Sequence, residues 1–235
     1  MGTSTIIAGL QMESEHVVNG ATDTTIIEKR TFGRKLLMAL DDHTAAENGI
    51  NSNESLSQQG KLEALKKLGT ETTAPALKWM KNVIKEKQEK DQRYRTQFFT
   101  ITSGIDNAVE RMLKYSYLWS KLDLLDQTAR VTQFLQAAEQ DQVVILSAML
   151  ENPFGPMVDK EVKERALTER AKRLTPNDYQ NFEQNQILLE FLTMSRDWIA
   201  RTLALEVGVE IPVIRTNFGD EIADALTGLP QLAGV

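Results

Sequence analysis

Tyr94-Arg-Thr-Gln-Phe98-Phe-Thr-Ile101-Thr-Ser-Gly-Ile105-Asp-Asn-Ala108-Val-Glu-Arg-Met112-Leu-Lys-Tyr115-Ser-Tyr-Leu-Trp119-Ser-Lys-Leu122 repeats an apolar residue at alternating steps of four and three. A mean period of 3.5 residues puts Tyr94, Phe98, Ile101, Ile105, Ala108, Met112, Tyr115, Trp119 and Leu122 on one narrow helix face. That face must be buried against another helix, from this chain or from a second copy. The stretch points to an all-α protein built on helix packing, and it names no reaction. Read as one helix over 91–122, it would span about 48 Å at about 1.5 Å per residue.

Working outward, the register fails beyond Leu122. A second stripe starts two residues out of phase: Leu124, Thr128, Val131, Leu135, Ala138, Gln142, Ile145, Met149. A straight helix cannot carry both, so a turn is expected near Ser120–Asp126, separating two long helices that would form an antiparallel hairpin. Between Pro75 and Pro153 there is no proline and only one glycine, Gly104. Asn152-Pro-Phe-Gly-Pro156 is a break. The helix expected over 157–173 has acids four residues ahead of bases (Asp159–Lys163, Glu161–Arg165, Glu169–Arg173), an order that supports an exposed helix. Thr175-Pro176-Asn-Asp178 is a start signal, with an N-cap hydroxyl, proline in the first turn and an early acid. The helix it opens, to about Val207, has a wide apolar face that includes Phe191 and Trp198 and makes it the candidate central helix.

The flanks are less regular. Residues 1–23 combine Thr, Ser and Gly with β-prone pieces and an Asn19-Gly20 turn signal, and predict an extended arm. Residues 24–32 are ambiguous between strand and helix. A helix is expected over 34–46, a loop over 47–55, and a short helix ending at Gly69. After Gly208, Val209–Arg215 reads as a short extended segment, and Asp220–Leu226 as a short helix before an apolar tail. The organisation expected is an N-terminal arm (1–23), a small helical subdomain (24–70), a long-helix bundle core (71–207) and an irregular tail (208–235). The fold class expected is an elongated all-α bundle of heptad-patterned helices.

Composition narrows the function. The 235 residues are 41% hydrophobic and 26% charged, ordinary values for a globular protein that needs no covalent staple. With no cysteine, disulfides, thiolate metal sites and thiol nucleophiles are excluded. A net charge of −6 argues against a broad nucleic-acid surface. No basic leader or membrane-length apolar run is legible, so the cytoplasm, or a virion if the chain is viral, is the expected location.

The chemistry-bearing residues do not assemble into a site. Glu13-Ser-Glu-His16 has the Glu-x-x-His spacing of carboxylate-bridged di-metal bundles, which need it twice, but Leu40 precedes the second histidine, His43, by three. His43, beside Asp41-Asp42, reads as a solvated helix end. Phosphate loops, dinucleotide fingerprints and nucleophile elbows are absent. Catalytic, cofactor-binding and metal-binding residues are therefore expected to be none.

Two interaction readings remain. The favoured one is a non-enzymatic assembly subunit, self-associating or joining a larger particle such as a virion. Its packing residues would be Tyr94, Phe98, Ile101, Ile105, Met112, Tyr115, Trp119, Leu122, Phe191 and Trp198. The alternative is a nucleic-acid-associated helix over Lys78–Arg95, where seven bases face three acids, a net +4. Lys81, Lys85, Lys87, Lys90 and Arg93 would contact phosphates. No membrane or small-molecule partner is evident.

Overall fold

The computed structural model describes residues 2–71, 74–205, 210–218, 220 and 223. Every regular element among them is an α-helix: α1 (Gly2–Glu15), α2 (Asp23–Asn51), α3 (Gln58–Glu71), α4 (Ala74–Phe99), α5 (Ala108–Leu122), α6 (Gln127–Glu139), α7 (Val143–Leu150), α8 (Lys160–Leu174), α9 (Pro176–Leu205) and α10 (Ile211–Phe218). Contacts divide the chain into two units, residues 1–89 with 184–235, and residues 90–183.

In the first unit, α1 lies along α2, which also carries α3. The expected extended arm is thus a helix. Its β-branched residues favour strand, but Leu10 and Ser14, four apart, both bury, and tertiary burial overrides a weak propensity. Gly33 lets the two helices approach, because a Cβ there would collide with the Ser14 side chain. Gly9 on α1 likewise leaves room for the Trp198 ring. The Asn19-Gly20 turn forms as read, with Gly20 at φ +85°. Thr22 then caps α2, its hydroxyl accepting from the Thr25 amide at 3.3 Å. Gln184 clamps the turn, accepting from the Thr22 amide and donating to the Gly20 carbonyl, both at 2.8 Å.

The ambiguous 24–32 is helical, and α2 runs through most of the expected 47–55 loop to Asn51. Similarly α3 passes Gly69 to end at Glu71. The core of this unit joins Leu10, Leu36, Leu40, Met80, Ile84, Phe191, Leu192, Ile199 and Ile214. The segment expected to be extended after Gly208 contains α10, with Pro212 in its first turn, where a missing N–H is harmless. The apolar tail, and the Asp220–Leu226 helix apart from helical Asp220 and Ala223, lie outside the described residues.

In the second unit, the end of α4 and the start of α9 supply one aromatic cluster. Phe98 lies 5.6–5.7 Å from Tyr94, Tyr179 and Phe182, ring centre to ring centre. Helices α5–α8 build a larger core around Phe134, Leu146, Met157 and Leu167.

The single long helix expected over 91–122 does not form. Gly104 sits at φ +68°. Asn107 then caps α5, its Oδ1 accepting from the Val109 amide at 2.9 Å and the Glu110 amide at 3.1 Å. Local turn and cap chemistry here outweighs the heptad spacing. The expected turn between Ser120 and Asp126 does form, with Asp126 as N-cap of α6.

The second stripe is cut as well. Asp141, at φ +55°, ends α6, and the Gln142 amide reaches back to the Ala137 carbonyl at 2.8 Å. This is the left-handed helix stop that glycine usually supplies. Arg170 of α8 holds it, with Nε and Nη2 at 2.8 and 2.6 Å from Asp141 Oδ1. The start at Thr175-Pro176 is as read, though the Thr175 hydroxyl donates back to Ala171 O at 3.2 Å.

Candidate interaction surface

The packing residues named from sequence serve three cores, and those of the stripe two, rather than one seam. Tyr94 and Phe98 belong to the aromatic cluster; Ile101, Tyr115, Trp119 and Leu122 enter the large core of the second unit. Phe191 and Trp198 sit in the first unit, Phe191 buried and Trp198 partly so. Two of the named residues join none of these cores. Ile105 lies half-buried in the linker before α5, and Met112 is 58% exposed.

The buried face of α5 is tied down by chemistry as well as packing. The Trp119 Nε1–H donates to the Ala148 carbonyl at 2.7 Å. That carbonyl lies in the last turn of α7, where intrahelical donors have run out. Ser147 donates to the Ile101 carbonyl at 3.3 Å, joining the linker to α7. Tyr115 packs beside Trp119, ring centres 5.7 Å apart.

The opposite face of α5 is the unusual one. Val109, Leu113 and Tyr117 are 60–69% exposed, at steps of four, while Met112, two turns before Trp119 and on its side of the helix, is 58% exposed. Leu124, just past the helix end, is 86% exposed. Phe154, 82% exposed, meets Trp119 of the inner face edge-on at 6.4 Å. Scattered exposed apolar residues are normal on a protein; a contiguous set on one helix marks an interaction site. Each large side chain left in water forgoes about 1.5–3 kcal/mol of burial.

Sequence reading named Met112 of the inward stripe but not Val109, Leu113 or Tyr117. The readable signal was a second set of apolar positions, 109, 113 and 117, out of phase with the first by roughly half a turn. A helix apolar on two faces has two partners to find.

The basic stretch presents few free cations. The Lys81 ammonium reaches the Thr216 carbonyl at 3.4 Å, and Lys85 pairs with Glu89 at 3.9 Å. Lys87 is largely covered, bonded to Glu28 at 2.6 Å. Lys90 stands 5.8 Å from the Tyr94 ring, Arg95 binds Asp91, and Arg93 is exposed. Burial raises the Tyr94 pKa, helped by Asp178 and opposed by Arg93.

Other charged features hold the fold together. A groove of about 450 Å³ between α6 and α8 has Leu135, Ala138 and Ala166 in its lining with Arg165, Arg170 and Arg173 around them. Arg170 is neutralised by Asp141, and Arg173 donates to the Ala138 carbonyl at 2.9 Å. The acid–base pairs expected along α8 are replaced by Lys160–Glu164 and Glu169–Lys172. Lys29 is buried, donating to the His16 carbonyl at 3.2 Å and lying 5.1 Å from the Phe191 ring. Burial lowers its pKa, against the pull of Glu13 and Glu190.

His43 overturns its expected solvated setting. It is only 1% exposed, and neither ring nitrogen has a hydrogen-bond partner. Burial lowers its pKa, with Glu47 acting in the opposite direction. Three-residue groups of His, Asp and Glu disposed to hold a metal do not occur among the described residues. No described helix is long and apolar enough to cross a membrane. Comparison with protein-family models, with curated proteins and with solved structures found no match.

Proposed function

We propose that the protein is a non-enzymatic assembly subunit, a helical building block that self-associates or joins a larger particle such as a virion. The observation that carries this reading is the outer face of α5, where Val109, Leu113 and Tyr117 stand mostly in solvent. A soluble chain of −6 net charge with abundant polar residues had other choices for those positions. Burial against a partner is the use for which such a face is suited. The pairing of Lys87 with Glu28, which covers most of the Lys87 side chain, favours this reading over the nucleic-acid one. The location that goes with it is the cytoplasm, or a particle assembled there.

The test is the absolute mass of the full chain by light scattering after size exclusion. A discrete mass above the 26.5 kDa of one chain is expected. A monomer at every concentration, together with salt-dependent binding to DNA or RNA lost on reversing Lys85, Lys87 and Lys90, would replace this reading with the alternative.

A further inference from the structure

The sequence holds two Asn-Gly dipeptides, Asn19-Gly20 and Asn48-Gly49, and both asparagines are exposed. This pairing has a chemistry of its own. The glycine amide nitrogen attacks the asparagine Cγ, Nδ2 leaves as ammonia, and a five-membered succinimide closes. Water then opens the ring. Attack at Cγ gives aspartate, and attack at the main-chain carbonyl gives isoaspartate, whose chain runs on through the side chain. Glycine favours the step because no Cβ crowds the attacking nitrogen. In an unfolded chain the two dipeptides react alike.

The fold separates them. Gly49 lies inside α2, so its N–H is committed to the carbonyl four residues back. The Asn48 carbonyl is held as well, accepting from the Ser52 amide at 3.0 Å. Ring closure at Asn48 must first break the helical ladder. Asn19 lies between helices. The Ala21 amide donates to the Val18 carbonyl at 3.0 Å, and Gly20 at φ +85° makes this a type II turn. The Gly20 N–H has no acceptor among the described residues. Rotating the Asn19–Gly20 peptide plane, the exchange of a type II for a type I turn, brings that nitrogen toward Cγ. Glycine permits the rotation, and the Val18–Ala21 bond is common to both turns.

We propose that Asn19 is a site of spontaneous deamidation, converted through a succinimide to aspartate and isoaspartate, and that the fold spares Asn48. The conversion acts on the structure around it. Isoaspartate lengthens the main chain between residues 19 and 20 by one methylene. It does so beside the two bonds, 2.8 Å each, by which Gln184 of α9 holds the Gly20 carbonyl and the Thr22 amide. Thr22 is the N-cap of α2, so the modified turn loosens the join between α1, α2 and α9.

The test is peptide mapping by mass spectrometry of the full chain, incubated in warm, mildly alkaline buffer, folded or in urea. The two sites fall on separate tryptic peptides, ending at Lys29 and Lys61. In the folded chain Asn19 should convert roughly ten-fold faster than Asn48 or more, because only Asn48 waits for its helix to open. In urea the two rates should converge. Gly20→Ala should suppress conversion at Asn19 and leave Asn48 unchanged. If that variant fails to fold, the wild-type comparison still decides. Asn48 converting as fast as Asn19 in the folded chain would overturn the proposal. So would an Asn19 that converts in urea alone, or a difference that persists undiminished in urea. The isoaspartyl form, separated by ion exchange, should melt below the unmodified chain, and Asn19→Asp, which adds the charge without the methylene, should melt closer to it. Equal melting of the isoaspartyl and unmodified forms would overturn the effect on the Gln184 clamp.

Discussion

At the scale of single residues, Trp119 shows how one side chain closes two accounts. Its ring fills the core of the second unit and its N–H satisfies a carbonyl at the end of α7. Trp119→Ala should therefore lose about 3–5 kcal/mol of stability in denaturant unfolding. Trp119→Phe keeps most of the packing and leaves Ala148 O without its donor, so a loss of about 1–3 kcal/mol is expected. A Trp119→Phe variant as stable as the parent would mean that the hydrogen bond contributes nothing.

His43 makes the opposite case, a polar group buried without a partner. Burial favours its neutral form, so its pKa in the fold lies below the ordinary histidine value. Below about pH 6.5 the unfolded chain takes up a proton that the folded chain resists. Stability from this residue is complete above that region and falls as the pH drops through it. His43→Leu removes the titration and two unsatisfied nitrogens. It should be at least as stable as the parent at neutral pH and lose less between pH 7.5 and 5.5 in thermal melts. An unchanged pH slope would show that His43 is not the group responsible.

At the scale of elements, close approach and helix stops decide what the apolar pattern leaves open. Helices α1 and α2 meet at Gly33 and Ser14, where a Cβ has no room. Gly33→Val should cost about 1–3 kcal/mol by overpacking, read as a lowered melting temperature. A neutral result would mean that α1 can move away without loss.

The legible and illegible parts of the sequence divide along the same lines. The turn at 123–126 could be read because a two-residue phase slip has no helical solution. The start of α9 could be read because Thr175-Pro176-Asn-Asp178 is cap chemistry. The stop at Asp141 was hidden, because aspartate there does a glycine's task and its stabiliser, Arg170, is distant in sequence. The break at 100–107 was visible in Gly104 and in Asp106-Asn107, yet the surrounding heptads dominated the reading. Helix α1 was misread because its β-branched residues describe a strand until α2 is present to bury Leu10.

At the scale of the whole molecule, helicity followed from pattern, while the grouping of helices into cores did not. A stripe says that a face is buried, not by which element, and residues 94–122 end in two separate clusters. The surface proposed to act was the least legible. The outer face of α5 becomes visible only once the inner face is known to be occupied by Trp119 and its neighbours, which leaves Val109, Leu113 and Tyr117 in solvent.

Sedimentation equilibrium over a dilution series of the wild-type chain, run beside L113E, measures the central claim most directly. A reversible rise from the 26.5 kDa chain mass toward a dimer or a higher discrete species, abolished in a folded L113E, is the expected result. A wild type that stays at the mass of one chain up to high concentration would contradict the account and leave the apolar face of α5 for a partner of another kind.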